Sequence, residues 1–366
     1  MQKYNLVFAI AASLAFGCKP PPKETTQSGS TTAEKNTAPP KSVFRYARTS
    51  AHKSLDPMRQ FDGASGDLVQ NLYDGLLQYH YLKRPYTLEP NLVTKMPVLS
   101  EDGLTYTWEL RDDISFIDNP CFKDGKGRQV TTDDVLYSIK RFADANVNTS
   151  SYHVLLKGVI VGLDEFRKAT KEQGKGVDYS AIPVSGLKKI DERRFTVTLT
   201  KKNPLAIMPF AVSALAIVPK EAVDKYGEDF QHNPVGTGPY MMASYERRGV
   251  LVLKKNPRYH GRYPSQGGPG DKEAGRLADA GKPLPFIDEI RLPLVEEAQP
   301  RMIKFKKGIL DWIGLDKTNF SKMAQLTPDG IELKKEFATK YGFYSAKGLD
   351  SSYFIFNLKD DLVGKN

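Results

Sequence analysis

The sequence predicts a mixed α/β protein with two domains. Apolar residues alternate with polar ones in several short stretches, as on half-buried strands, and elsewhere recur every three to four positions, as on helices. With 366 residues and 40% hydrophobic content, the chain is long enough for two cores. One stretch organises the rest. In Asn233-Pro234-Val235-Gly236-Thr237-Gly238-Pro239-Tyr240, two glycines flank Thr237 and Pro239 fixes its own φ, which predicts a tight turn with exposed backbone. A strand starts near Tyr240, Glu246 to Gly249 make a hairpin loop, and a second strand runs from Val250 to Lys254. Asn256-Pro257 ends it, because a prolyl residue cannot continue a ladder.

Taken from the N-terminus, Met1 to Gly17 carries Lys3 and an apolar run from Leu6 to Phe16, then small Gly17 ahead of Cys18. That is an export signal, too short to span a bilayer, and no later apolar run is long enough to span one. Residues 19–42, rich in Pro, Thr, Ser and Lys without apolar periodicity, read as a disordered tether. Val43 to Arg48 alternates as a strand, and Pro57 in Ser54-Leu55-Asp56-Pro57 ends the extended run. Leu68, Leu72 and Leu76, with Val69 and Tyr73, predict an amphipathic helix ending near Gly75 to Leu77. Leu104, Tyr106, Trp108 and Leu110 alternate as a strand, which makes Trp108 a core residue first. Thr131 caps a helix with Asp134 three residues on and a buried stripe of Val135, Ile139 and Phe142. Phe195, Val197 and Leu199 form another strand, Ala211 to Val218 reads as a buried strand, and Lys220 to Tyr226 as a short helix. Arg262 to Leu284 is a long surface loop, followed by a strand through Ile290, Leu292 and Leu294 and a helix from Glu296 to Lys307. Tyr353 to Asn357 is the last strand.

Charge excludes little but locates little. The formal net charge is +10, and its pairs Lys254-Lys255, Lys306-Lys307 and Lys334-Lys335 are dispersed, so a solvated basic surface fits better than a nucleic-acid site. Cys18 belongs to the export segment, which leaves Cys121 as a lone, inert thiol with no neighbour at metal-ligand spacing. A hydrolase would need a nucleophile, a base and an orienting group. There is no Gly-x-Ser-x-Gly elbow, and His52, His80, His153, His232 and His260 are scattered, so no enzyme is expected.

The turn from Asn233 to Tyr240, followed by Leu251-Val252-Leu253 and Asn256-Pro257-Arg258-Tyr259, resembles the signature of the family 5 extracellular solute-binding proteins, the peptide- and nickel-binding receptors of ABC importers. Leu72-Tyr73-Asp74-Gly75-Leu76, Glu89-Pro90-Asn91-Leu92, Asp102 to Arg111, Thr131 to Ser138 and Gly308 to Trp312 resemble further blocks of that family. Phe116 to Arg128 departs from the family's short turn. The resemblance implies a two-lobe periplasmic-binding-protein fold of the type II-like kind, with the extra subdomain of the peptide-binding class. Residues 43–60 and 186–262 would form the first lobe, 61–185 the extra subdomain, and 263–366 the start of a second lobe that is truncated.

From the same resemblance come the expected function and site. The chain would capture a short peptide between lobes and hand it to an ABC permease and its ATPase subunits; the alternatives within and beside the family are nickel, haem or another small solute, or a structural lipoprotein without transport. The ligand would meet Ser50, Ala51 and His52 at the end of the first strand, Tyr152, the turn Gly236, Thr237 and Gly238, and Tyr240 and Tyr259. His52 and His260 would be the ligands in the nickel reading. No cofactor and no resident metal is implied. Leu14-Ala15-Phe16-Gly17-Cys18 resembles a lipobox with Ala15 where leucine is typical, so Cys18 would be acylated and anchor the chain at a periplasmic or extracellular face. Lys19 in place of aspartate points to the outer membrane if the cell has two membranes.

Overall fold

The computed structural model describes residues 42–149, 151–246, 248–328, 330–345, 354–360 and 362–364. In chain order the strands are β1 (Val43–Arg45), β2 (Leu77–Tyr79), β3 (Leu88–Pro90), β4 (Val98–Leu99), β5 (Thr105–Glu109), β6 (Leu187–Lys189), β7 (Arg194–Thr198), β8 (Tyr240–Tyr245), β9 (Val250–Lys255), β10 (Glu289–Pro293), β11 (Ala324–Thr327) and β12 (Gly330–Leu333). The helices are α1 (Gly63–Leu72), α2 (Thr132–Ala143), α3 (Tyr152–Leu155), α4 (Leu163–Gln173), α5 (Lys220–Tyr226), α6 (Ala298–Lys306), α7 (Lys317–Met323) and α8 (Lys335–Ala338).

The expected β8–β9 hairpin sits at one edge of a four-stranded sheet of order β1-β10-β9-β8. Leu251 and Leu253 of β9 and Leu292 of β10 are buried by the period-two pleat while their neighbours face outward. Strand β10 runs antiparallel to β9, and β1 runs parallel to β10. Two parallel bridges, Tyr46 with Trp312 and Arg48 with Leu294, lengthen β1 and bring a third parallel segment alongside it. Asp311 secures that segment: it receives Arg45 Nε at 2.9 Å and Nη2 at 2.7 Å, and its own N–H donates to Arg45 O at 2.7 Å. Three extended segments therefore end at one edge of the sheet.

A second sheet of order β4-β5-β7-β6 is antiparallel throughout. Tyr106 and Trp108 of β5 and Phe195 and Val197 of β7 turn inward, and Trp108 lies parallel to Phe195 with ring centroids 6.0 Å apart and meets Phe210 at 4.9 Å. Each such side chain contributes about 1.5–3 kcal/mol by leaving water. Helix α2 begins as expected, with the Thr131 N–H donating to Asp134 Oδ2 at 2.9 Å, and buries Val135, Ile139 and Phe142. Asp56 and Arg141 join α2 to the chain after β1 through a buried ion pair, Nη1 to Oδ1 at 2.9 Å and Nη2 to Oδ2 at 2.6 Å.

Three expected elements differ. Helix α1 stops at Leu72, before Gly75 to Leu77: Tyr73 is extended at φ −135° and ψ 159°, and the Gly238 N–H takes the Leu72 carbonyl at 3.2 Å. Ala211 to Val218 is half-buried up to Ser213 and buried from Ala214 on, but it forms 3-10 turns at Met208–Ala211 and Ser213–Leu215 rather than a strand. A short apolar run reports burial without specifying backbone shape, and here the backbone bonds go sideways, Ile217 N–H to Asp74 O at 3.0 Å and Val218 N–H to Ser138 Oγ at 3.0 Å. Phe354 to Asn357 makes no ladder among the described residues, and Tyr353 lies outside them.

Candidate functional site

The organising turn is not an open edge. Residues 234–238 are buried, and Gly236 and Gly238 are needed because the C-terminal end of α1 lies against them. A Cβ on Gly236 would stand 2.2 Å from Leu72 O, and one on Gly238 2.5 Å from the Leu72 carbonyl carbon. Thr237 Oγ1 donates to Asp74 Oδ2 at 2.8 Å, Asn91 Nδ2 donates to Asp74 Oδ1 at 3.1 Å, and Asn256 Nδ2 donates to Gly238 O at 2.9 Å. The Phe116 to Arg128 segment covers the other side, where the Ile117 N–H donates to Gly236 O at 3.0 Å. The Gly236 and Gly238 carbonyls and the Gly238 N–H are spent inside the protein, and the whole turn is buried.

The remaining expected residues separate. Tyr240 is buried with its hydroxyl donating to Ile287 O at 3.1 Å. Tyr152 is fully buried and donates to Asp164 Oδ1 at 2.5 Å, so it belongs to the core and not to a ligand surface. Tyr259 is half-buried and lines a cavity of about 460 Å³ together with Tyr73, Asp74, Asn91 and Tyr79. His260, beside it, donates from Nε2 to Asn91 Oδ1 at 2.9 Å, and burial lowers its pKa. Cys121 is half-buried, and burial pushes its thiol up to about 11, consistent with an inert residue. Cys18 lies outside the described residues.

Ser50 and Ala51 stand elsewhere, exposed just past the end of β1. Ser50 lines a crevice of about 490 Å³ whose wall is formed mainly by Tyr46 to Ser50 on the first sheet, Gly63, Ala64, Asp67 and Leu68 on α1, and Leu310 with Trp312 to Gly314 on the third parallel segment. Backbone N–H and C=O groups of Thr49, Ser50 and Ala51 find no intramolecular partner among the described residues. In α/β folds ligands sit outside the carboxyl ends of parallel strands, which is this crevice's position. Helix α1, ten residues or about 15 Å long, separates it from the turn at Gly236. His52 is next in sequence but buried against Tyr245, with ring centroids 4.7 Å apart; burial and then the Arg48 charge lower its pKa to about 4.

Asp67, Arg301 and Trp312 also line the crevice and were not among the expected residues. Gly308 to Trp312 was legible as a family block, but nothing in its spacing says that it pairs beside β1. A larger cavity, about 820 Å³, lies beside α2, yet its charged groups are tied up, Lys140 Nζ with Tyr179 O at 2.8 Å and Tyr179 Oη with Asp144 Oδ2 at 2.7 Å. No helix among the described residues is long and apolar enough to cross a membrane, and no group of three metal-ligating side chains occurs among them.

Comparison with known proteins agrees with this arrangement. The chain is 27% identical over 230 residues to the oligopeptide-binding protein AliB of Streptococcus pneumoniae, covering 61% of this chain and 32% of that protein. It is 24% identical over 365 residues to heme-binding protein A of Haemophilus influenzae, covering 97% and 56%. Among solved structures, Listeria monocytogenes OppA bound to peptide superposes with a TM-score of 0.60 at 18% identity, over 77% of this chain and 48% of that one, which shows the shared fold. The chain thus spans about half the length, or less, of these relatives. Residues 87–365 match the model of the bacterial extracellular solute-binding proteins, family 5 Middle, and the chain belongs to that family of binding proteins.

Proposed function

We infer that this chain is the substrate-binding component of an ABC importer and captures short peptides for delivery to a membrane permease. The observation that carries this is the crevice at the end of β1, where exposed, unpaired backbone at Thr49 and Ser50 shares the wall with the side chains of Tyr46 and Trp312. An extended peptide is held there by strand-like bonding to main chain, which gives affinity without strong sequence preference. A ligand touching two lobes shifts an open–closed equilibrium toward the form a transporter recognises. In this reading Ser50 and Ala51 contact the ligand directly and His52 supports them from behind. Residues 43–60 and 186–262 act as the first lobe, 61–185 as the extra subdomain and 263–366 as the beginning of the second. Acylated Cys18 and the tether of residues 19–42 hold the body at a periplasmic or extracellular membrane face.

Haem is the competing ligand, because the relative aligned over 97% of the chain is a heme-binding protein. The test is a thermal melt of the chain with a pool of two- to six-residue peptides and, separately, with hemin. A ligand at a hundred times its Kd adds about 2.7 kcal/mol of stability. A melt raised by peptides and not by hemin supports the peptide reading; the reverse overturns it in favour of haem.

A further inference from the structure

Aromatic rings cluster where the β2–β3 hairpin adjoins the long loop before β10. Tyr79, Tyr81 and Tyr86 are exposed on the hairpin, and Phe286 is exposed at the end of the loop. Tyr81 meets Tyr263 edge-on with ring centroids 5.8 Å apart, Tyr263 meets Phe286 at 5.8 Å, and Tyr79 meets Tyr86 at 6.1 Å. A single exposed ring is ordinary, whereas rings gathered from two distant segments onto one surface mark a site of contact. The loop that carries Tyr263 is built to hold it. Its base is closed by Tyr263 N–H to Lys282 O at 2.9 Å and Leu284 N–H to Gly261 O at 3.0 Å, and the Tyr263 hydroxyl donates to Arg276 O at 2.8 Å.

Cations stand among the rings without counter-charges. The Arg84 guanidinium lies 4.1 Å from the centroid of the Tyr86 ring and donates only to carbonyls, Lys83 O at 2.8 Å and Tyr81 O at 3.3 Å. Arg262 donates to Gly281 O at 3.0 Å, and Lys255 Nζ to Pro285 O at 2.7 Å. None of the three has a carboxylate at ion-pair distance among the described residues. The acids of the loop are mostly engaged: Asp271 with Arg276 at 2.6 Å, Asp279 with Lys282 at 2.5 Å, and Asp288 with the Ser42 N–H at 2.9 Å. Glu273 is exposed and bonded through its side chain to nothing among the described residues.

Position decides the partner. Ser42, where the tether of residues 19–42 joins the body, sits against this surface: its hydroxyl donates to Phe286 O at 3.3 Å and receives the Asp288 N–H at 3.0 Å. Strand β1 starts at the next residue, and the ligand crevice lies at the far end of that extended run, at Thr49 and Ser50, roughly 20 Å away.

We propose that this aromatic and basic surface rests on an anionic phospholipid membrane, beside the point where the tether meets the body. The inference rests on the reading that the N-terminal segment holds the chain at a membrane, and it adds the face that meets that membrane. Tyrosine and phenylalanine settle at the level of the lipid headgroups, and each lysine or arginine near an anionic bilayer adds an attraction that salt screens. A tether raises the effective concentration of the face at the bilayer, so individually weak contacts suffice. In this pose the crevice is at the end farther from the lipid and stays open to dissolved peptide.

The experiment is cosedimentation of the full chain with vesicles of phosphatidylcholine, alone or with about 30% phosphatidylglycerol, at about 0.1 M and about 1 M salt. The apolar run from Leu6 to Phe16 enters both bilayers alike, so the ratio of the two affinities reports the charged surface. Anionic vesicles are expected to bind at least about tenfold more tightly, with the preference lost at high salt. In R84Q with R262Q the preference should fall below about threefold, and Y81S with F286S should weaken binding to anionic vesicles about fivefold or more. K188Q with K201Q removes two exposed lysines at the second sheet and should leave the preference unchanged. All six side chains are exposed, and circular dichroism melts verify that each variant folds. An equal fall in the lysine variant overturns the proposal in favour of net charge. Equal binding of both vesicles by the parent chain, or a preference unchanged in R84Q with R262Q, overturns it outright. Incorporation of a labelled fatty acid in cells, compared between the parent and C18S, tests the anchor separately. A chain left unlabelled with its vesicle preference intact loses the anchor and keeps the surface; a labelled chain without the preference keeps the anchor and loses the surface.

Discussion

Thr237 donates its hydroxyl to the carboxylate of Asp74 at 2.8 Å, joining two segments 163 residues apart in a site where both side chains are buried. The bond closes the turn between two glycines onto Asp74, just past the end of α1, and Asn91 satisfies the other carboxylate oxygen. Thr237→Val keeps the shape and removes the donor. A buried acceptor left unpaired costs about 1–3 kcal/mol, so the unfolding free energy should fall by that amount, seen as a lower urea midpoint at an unchanged slope.

Gly236, beside it, and Gly63, at the start of α1, predict a contrast. Gly236→Ala puts a Cβ 2.2 Å from Leu72 O, where backbone must move, whereas Gly63→Ala at the start of α1 meets nothing within 4 Å. The first should destabilise by about 1–3 kcal/mol as overpacking does. The second should be neutral or slightly stabilising, as alanine in place of glycine in a helix. Equal melting temperatures for the two variants would contradict the close approach.

The Asp56–Arg141 pair is buried on both sides. Removing one partner strands the other, so Asp56→Asn or Arg141→Met should each cost about 3–5 kcal/mol. The double variant should cost less than the sum, because the stranded charge is gone. A double-mutant cycle by denaturant unfolding measures the coupling.

His52 predicts a pH dependence. Its folded pKa is lowered from 6.5 to about 4 by burial and by Arg48, with His232 adding to the repulsion and Asp62 opposing it. Between those values the unfolded chain binds a proton that the folded chain does not, so stability rises with pH through that window and is lost as pH falls from 6.5 toward 4. The loss attributable to this residue is about 2 kcal/mol. Unfolding measured at pH 7 and pH 4.5 should differ less in His52→Gln than in the parent by that amount.

Much of the architecture was legible along the chain. The alternation at Tyr106, Trp108, Phe195 and Val197, the Thr131 and Asp134 cap, and the stop at Asn256-Pro257 are local devices, decided within one strand or one helical turn. The family block from Asn233 to Tyr259 was legible for the same reason, since it is contiguous. What each group faces was not. Gly236 to Gly238 looked like exposed backbone because a turn's local pattern says nothing about what packs on it; the end of α1 packs on it, and Asp74, just past that end, bonds Thr237 from 163 residues away. Ser50 was legible as the end of a strand. That Trp312 and Arg301 share its crevice follows from parallel pairing beside β1 and from nothing in their spacing, because pairing of distant segments is settled by backbone hydrogen bonds and burial over the whole fold.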